Sequence, residues 1–385
     1  MLVPMGTSVT ILGAGFGGLE LASVLSEELG AEASVTLIDR NDSFIFGYSK
    51  LDLMFGRARP EEVRLPYGEI AKPGVRFLRE TVTAIDPSTR NVQTDQATHH
   101  ADVLVIALGA DYDMDATPGL AEHGNEFYTF AGAERLSSIV AGFRSGRAII
   151  GVCGAPFKCP PAPSEAALLL HDSLVTRGVR GSCEITFVIP LATPVPPSPE
   201  TSEALLAAFA ERAINFIPSR RVSSLDGDRG VAILDDGGEL AYDLFLGVPK
   251  HRAPDVVIAS GMIEETYIPV NPRTLETRFP GVYAIGDVAT ITLANGKPLP
   301  KAGVFAHAEA LVVAESLAAS VEGGAPRARF DGQGYCWVEL GGGQAAFATG
   351  NFYAPGGPQI HLRRPGPHWH LAKAAFEQYW MHRWL

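Results

Sequence analysis

Little in this 385-residue chain suggests a metal site, a disulfide scaffold or a nucleic-acid partner. Its four cysteines, at 153, 159, 183 and 336, have neither paired metal-ligand spacing nor the density of a stapled secreted domain. There is no CxxCH, so any haem belongs to another chain. The net charge is -12 and no basic run interleaved with aromatics occurs, which excludes nucleic acid. No apolar window reads as a bilayer span. The start, MLVPMGTSVTILGAG, lacks the charged segment, apolar stretch and cleavage site of a secretory leader. The expected compartment is the cytoplasm, where a disulfide among these cysteines would be a working one.

What is present fits two domains and an appendage: 41 glycines, 28 prolines and a length too great for one ordinary core. An apolar strand from Val9 to Leu12 runs into Gly13-Ala14-Gly15-Phe16-Gly17-Gly18, then a helix with Leu21, Val24 and Leu25 on one side, then a strand ending at Asp39. This is the dinucleotide fingerprint: Gly13 turns the chain, Gly15 admits a pyrophosphate, Gly18 lets helix pack on strand, and Asp39 can take ribose hydroxyls. Two further strand-glycine segments, DVLVIALG ending at Gly109 and GVYAIGDVA with Gly286 and Asp287, follow in order. Together the three resemble the FAD domain of the two-dinucleotide flavoproteins, a likeness that implies FAD with Asp287 at its ribityl-pyrophosphate region.

Between the halves of that domain a second unit opens with the strand from Arg147 to Gly151 and the stretch GVCGAPFKCPPAP at 151–163, ahead of a helix from Ser164 to Leu174. A nicotinamide loop belongs here, but Phe157, Lys158, Cys159 and prolines stand where glycines should, and proline removes the donors such a loop supplies. The next strand, Glu184 to Ile189, ends at Pro190 instead of an acid. Both determinants are missing, and the unit reads as a Rossmann relic that no longer takes NADH. Lys158 beside Cys159 and the nearby helix start would lower the thiol's pKa; a small residue in a rigid turn is the other reading. Lys301 precedes the helix that starts near Gly303, whose N-terminus would favour negative charge on a reduced flavin; a solvated loop lysine is the alternative. Cys336 sits in a strand pattern, where a buried small residue is also reasonable.

The fingerprint, GAPFKCPPAPSEAA at 154–167, GVPKHRAP, AIGDVA, PLPKAGVFAHAEA and the Cys336 strand, in that order, resemble the sulfide-oxidising flavoproteins: sulfide:quinone oxidoreductases and the flavin subunit of flavocytochrome c sulfide dehydrogenase. The resemblance implies an α/β fold with two Rossmann-like dinucleotide-binding domains of the flavoprotein disulfide reductase type and a C-terminal strand-helix appendage. Residues 1–110 and 270–325 would form the FAD domain, 111–269 the second domain, and 326–385 the C-terminal region. It further implies that Cys159 and Cys336 flank the flavin as a redox pair, leaving Cys153 and Cys183 structural. The cofactor-binding candidates are Gly13, Ala14, Gly15, Phe16, Gly17, Gly18, Asp39, Arg40, Gly109, Gly286, Asp287, Lys301 and Gly303; the catalytic ones are Cys159, Cys336, Glu165 and Lys301. Glu165 is a candidate base, or an acid favoured in a first helical turn by the helix dipole.

The sequence departs from the family at two points. The segment 44–49, Phe-Ile-Phe-Gly-Tyr-Ser, has no cysteine for a covalent flavin bond, so FAD is expected to be non-covalent, and 111–147 has no third cysteine. The resulting expectation is hydrosulfide attack on a Cys159–Cys336 disulfide, sulfane sulfur leaving to an acceptor, and two electrons passing through FAD to a quinone or a cytochrome. Rivals are a type II NADH:quinone reductase, a flavoprotein disulfide reductase and a non-enzymatic FAD-binding sensor. From Trp369 on, an unbroken helical stretch aligns Trp369, Phe376, Trp380 and Trp384, with Lys373 and Arg383 at the borders. Two uses fit: peripheral contact with a membrane headgroup layer at the cytoplasmic face, or packing on the flavin domain or a partner in a homodimer.

Overall fold

The computed structural model describes residues 7–30, 34–70 and 72–384; the start at 1–6, where a leader was not expected, and Leu385 lie outside the described residues. Val9, Ile11 and Leu12, and likewise the run from Val103 to Ile106, are apolar without alternation because their strands are covered on both faces. The five strands of the first sheet are all parallel, in the order Val282–Ala284, Val103–Ile106, Ser8–Leu12, Ser34–Asp39 and Val75–Arg79. Neighbours leave Ser8–Leu12 in opposite directions, so a crevice opens beyond its carboxyl end, the position where open α/β sheets bind ligands.

A second parallel sheet has the order Ile214–Ile217, Cys183–Val188, Gly146–Val152 and Leu244–Val248. Each sheet has its own three-stranded antiparallel meander, from Val82–Asp86 to Thr98–His100 in one and from Val222–Asp226 to Glu239–Ala241 in the other. The two chain crossings between the units, Asp111–Asp113 and Lys250–Arg252, pair antiparallel. The chain closes with an antiparallel sheet, Gln333–Gly341, Gln344–Asn351 and Gln359–Leu362, and the helix Pro367–Arg383. Pro367 opens that helix, since a first helical residue needs no N–H partner.

Contrary to the sequence expectation, one helix, Gly303–Val321, is long and apolar enough by composition to cross a bilayer, with a mean hydropathy of 1.5. Its apolarity has an internal use. Val313, Ala314 and Leu317 share a core with Leu21 and Leu25 of helix Phe16–Leu29, and the helix also carries the buried Glu309.

The C-terminal aromatic stripe packs inward. Trp384 is fully buried and Trp380 nearly so, and Trp384 stands edge-on to Phe16 and Phe44 at centroid distances of 6.0 and 4.9 Å. Its indole N–H donates to Glu20 over 2.9 Å, and Arg383 donates to the same carboxylate over 2.9 Å. The border cations are therefore not headgroup ligands: Arg383 pairs with Glu20, and Lys373 is buried between Glu165 and Glu339, 3.4 Å from each.

Candidate functional site

A cavity of about 870 Å³ begins at the Gly13–Gly17 turn and extends to both Cys159 and Cys336. The glycines of the turn divide by what a Cβ would meet. At Gly13 (φ +100°) it would strike the Ala107 carbonyl at 2.4 Å, at Gly18 the Gly13 carbonyl at 1.9 Å, and at Gly17 the Ile285 side chain at 2.9 Å. At Gly15 it would meet nothing within 4 Å. Thus Gly13 and Gly18 are required by close backbone packing, Gly17 most closely meets a side-chain end that can yield, and Gly15 faces open cavity at the start of helix Phe16–Leu29, where backbone N–H groups suit a pyrophosphate. Gly303 packs against the Phe16 ring, and Gly109 (φ +70°) opens to free space.

Asp39 lines the cavity and also closes the turn: Ala14 N–H donates to one carboxylate oxygen over 2.8 Å, and Asn41 donates to the other. Arg40, at the mouth, lies 3.6 Å from Asp111. Lys301 differs from its expected role. Its ammonium donates to the carbonyls of Asp287 (2.6 Å) and Ala289 (3.0 Å) and lies 3.5 Å over the Tyr267 ring. Its charge is spent holding the Asp287 loop, and burial pulls its pKa down to about 8. Glu309, which sequence reasoning missed, accepts the Gly286 N–H over 2.6 Å, and burial pushes its carboxyl up to about 8.

The two cysteines arrive from separate elements. Cys159 precedes the helix Ala162–Thr176 in a left-handed conformation (φ +51°), a strain of roughly 1–3 kcal/mol for a non-glycine residue. Three bonds hold it there: its N–H donates to Lys301 O (2.8 Å), its carbonyl accepts from Ala162 N–H (2.9 Å), and Tyr128 OH donates to Lys158 O (3.2 Å). Cys336 comes from strand Gln333–Gly341, opposite Ala348. Glu165 ties the two elements together by accepting the Glu339 N–H over 2.9 Å. Its carboxylate is committed to that bond and to Lys373, which makes it first a tether between the thiol-bearing elements.

The electrostatics correct one sequence inference. Burial, then Glu165, pushes the Cys159 thiol up to about 12. Burial, then a charged Cys159, raises Cys336 well above the usual thiol range. Lys158 does not lower either thiol, because its ammonium turns to the Tyr112 ring, 4.9 Å away. The groups that favour a Cys159 thiolate are Lys373, from the far end of the chain, and the Ala162 N–H. Although burial opposes it, Glu165 and Glu339 hold the Lys373 ammonium above the usual lysine range. Lys50, Tyr112, Tyr128, Phe376 and Trp380 also line the cavity. Phe376 and Trp380 belong to the aromatic stripe legible in the sequence, whereas no local motif marks Lys50, Tyr112 or Tyr128.

Cys153 and Cys183 are buried in cores away from this cavity. In the second domain the surviving glycines serve packing. A Cβ at Gly151 would meet Phe245 at 2.5 Å and Val222 at 2.9 Å, and one at Gly154 would meet Lys250 at 2.9 Å. With Phe157, Lys158, Cys159 and prolines in place of a glycine loop, anaerobic NADH should leave the holoprotein's FAD absorbance unchanged over minutes. Bleaching by stoichiometric NADH would overturn that reading.

Residues 7–310 match the pyridine nucleotide-disulphide oxidoreductase family. A mitochondrial sulfide:quinone oxidoreductase of Mus musculus is 24% identical over 90% of this chain and 78% of its own. A sulfide-quinone reductase of Aquifex aeolicus is 24% identical over 98% of this chain and 91% of its own. The X-ray structure of the Aquifex aeolicus sulfide:quinone oxidoreductase has a TM-score of 0.87 at 23% identity, covering 98% and 91% of the two chains. An alternative NAD(P)H-ubiquinone oxidoreductase of Arabidopsis thaliana is 26% identical over 78% of this chain and 65% of its own. The chain belongs to the pyridine nucleotide-disulphide oxidoreductase family.

Proposed function

We propose that this protein is an FAD-dependent sulfide:quinone oxidoreductase, in which Cys159 and Cys336 form the redox pair. The observation that carries the reading is that these two cysteines, far apart in sequence, line one cavity with the dinucleotide turn. Similarity to the mouse and Aquifex aeolicus proteins supports the same substrate and acceptor. Family membership implies a flavin, and the open face of Gly15 with Asp39 and the Lys301-held Asp287 loop fits FAD. Residues 1–110 and 270–325 would hold it, with 111–269 presenting Cys159 and 326–385 presenting Cys336.

In the cycle, hydrosulfide attacks the Cys159–Cys336 disulfide, one cysteine keeps the added sulfur as a persulfide, and the other leaves as a thiolate. Lys373 and the Ala162 N–H favour the anionic sulfur. A nucleophilic acceptor then takes the outer sulfur, the persulfide S–S bond breaks to leave a cysteine thiolate, and the two cysteines reclose the disulfide with release of two electrons. FAD bound beside the turn would supply the two-electron carrier between the dithiol and the quinone. The net change is hydrosulfide, a proton and quinone giving sulfane sulfur and quinol. Tyr335, Trp337, Phe376 and Trp380 line the cavity with flat apolar surface suited to a quinone ring. Peripheral membrane contact would use the outer face of the last helix, where Leu371 and Tyr379 are 68% and 60% exposed.

Anaerobic titration tests the reading: stoichiometric sulfide should bleach the flavin, and a soluble quinone should restore it. Sulfide without effect would overturn it. Phe44 to Ser49 has no cysteine, so acid precipitation should release the FAD to the supernatant; colour on the washed pellet would show a covalent bond.

A further inference from the structure

An unbroken line of ionisable side chains leads from the protein surface to the wall of the cavity. His370 and Lys373 lie about one turn apart on helix Pro367–Arg383 and converge on a single carboxylate oxygen of Glu339, the imidazole Nδ1 at 2.9 Å and the ammonium at 3.4 Å. The same ammonium lies 3.4 Å from Glu165, which lines the cavity with Cys159 and Cys336. Side-chain exposure is 39% at His370 but 3% at Glu339, 7% at Lys373 and 3% at Glu165, so of the four only the histidine meets solvent freely. The groups packed around the line are committed elsewhere. The Tyr48 ring lies 4.6 Å from the ammonium and its hydroxyl donates to the Lys373 carbonyl, Asp52 pairs with Arg57, and Glu377 accepts from the Ser49 hydroxyl.

Stability is a poor account of such a line, because a buried ion pair or triad is often no more stable than apolar residues of the same volume. The chemistry at its inner end calls for a proton. When hydrosulfide opens the disulfide, one cysteine sulfur must leave, and a sulfur of high pKa leaves slowly. Burial pushes Cys159 up to about 12 and raises Cys336 well above the usual thiol range, so either would leave poorly as a bare thiolate. A proton delivered to the leaving sulfur removes that obstacle. The net change of the cycle also takes one proton from solvent in each turnover.

We propose that His370, Glu339 and Lys373 form a proton relay from solvent to Glu165, and through Glu165 to the cysteine sulfur that leaves. The assignment rests on the redox pair of the reading above. The sulfur of hydrosulfide bonds one cysteine sulfur, the Cys159–Cys336 S–S bond breaks, and its electron pair stays on the leaving sulfur. The Lys373 ammonium passes a proton to Glu165, and Glu165 passes it to that sulfur, giving a thiol. Lys373 is recharged through Glu339 by the His370 Nδ1–H, and His370 by a solvent acid at its other ring nitrogen, since an imidazole can take a proton on one side and give one on the other. One proton enters, each group of the relay ends in the charge state in which it began, and no electron moves along the line.

The test mixes holoprotein anaerobically with stoichiometric sulfide in mildly alkaline, weakly buffered solution, where hydrosulfide predominates, and follows proton uptake with an indicator dye beside the flavin absorbance. In the native protein the two signals should change together. His370→Ala should slow both about tenfold or more, part of the effect that a positioned proton donor supplies, and added imidazole should restore the flavin rate by standing in the vacated place. His370→Gln should be as slow, although its amide keeps a hydrogen bond to Glu339. Lys373→Arg keeps the positive charge near the thiols but does not give up a proton, and should be slow in a way that imidazole does not repair. A native rate in His370→Gln shows that only the hydrogen bond matters and overturns the relay, as does a loss in His370→Ala that imidazole leaves in place. His370 stands at the surface, so its variants should fold with native FAD content, and they decide the matter even where Lys373→Arg fails to fold. If proton uptake depends on His370 while the flavin stays oxidised, the relay stands and the oxidoreductase reading falls; if sulfide bleaches the flavin at the native rate in His370→Ala, the relay falls and the reading stands.

Discussion

Replacing Cys336 by serine should cut sulfide-driven reduction of the bound FAD by roughly 10³-fold or more, the scale on which loss of an essential covalent group acts. Cys159→Ser should behave alike. In either variant the remaining thiol has no partner with which to store two electrons, and a serine hydroxyl cannot substitute as the exchanging group. FAD should remain bound at native stoichiometry, because neither cysteine belongs to the Gly13–Gly18 turn and the Cys336 thiol donates to the Trp337 carbonyl. Cys153→Ser and Cys183→Ser serve as controls. Both thiols are buried and pushed up by burial, Cys153 to about 12, so each serine should cost about 1–3 kcal/mol of stability and leave most of the turnover. Anaerobic stopped-flow with sulfide reads all four variants. Undiminished flavin bleaching in Cys336→Ser would remove the disulfide from the cycle.

Legibility in the sequence followed the range of the interaction. The turn from Gly13 to Gly18 and Asp39 are joined by contacts within one strand-helix-strand unit, so spacing alone located them, including Gly15 as a position beside open space. The absence of a glycine loop at 151–163 was also local, although the packing of Phe245 on Gly151 and of Lys250 on Gly154 was not. Lys158 shows the opposite case. Adjacency in sequence to Cys159 suggested an activating charge, but successive side chains on an irregular loop point apart, and the ammonium went to Tyr112. The lysine that does reach the thiols, Lys373, is brought there by docking of the last helix, which no local pattern encodes. Lys301 was placed in the right loop with the wrong target, since a lysine's reach leaves the direction of its ammonium open. The aromatic stripe at 369–384 was readable as a stripe, but its helical period is the same whether the face meets lipid or protein.

Truncation after Gly366 should yield a protein that aggregates or fails to retain FAD. The lost segment carries Trp384 and Trp380, whose rings pack on Phe16, Phe44 and His307, and the Phe16 ring in turn backs the dinucleotide turn and Gly303. It also carries both donors to the fully buried Glu20, and Lys373, the counter-charge of Glu165 and Glu339. Breaking one buried pair costs about 3–5 kcal/mol, and a domain has only about 5–15 kcal/mol in hand. A graded series isolates the cause. Trp384→Ala should destabilise the holoprotein by about 3–5 kcal/mol in urea and speed FAD release on dilution. Trp384→Phe keeps a ring against Phe44 but removes the N–H from Glu20, and should cost about 1–3 kcal/mol. If the truncated protein instead stays soluble and FAD-loaded, still oxidises sulfide with a water-soluble quinone, and loses only its sedimentation with liposomes, the stripe's packing is dispensable and the helix is a membrane device. The Glu20 contacts argue against that outcome, because a helix leaving the protein for a headgroup layer would first have to give up the Arg383 ion pair and the Trp384 N–H bond.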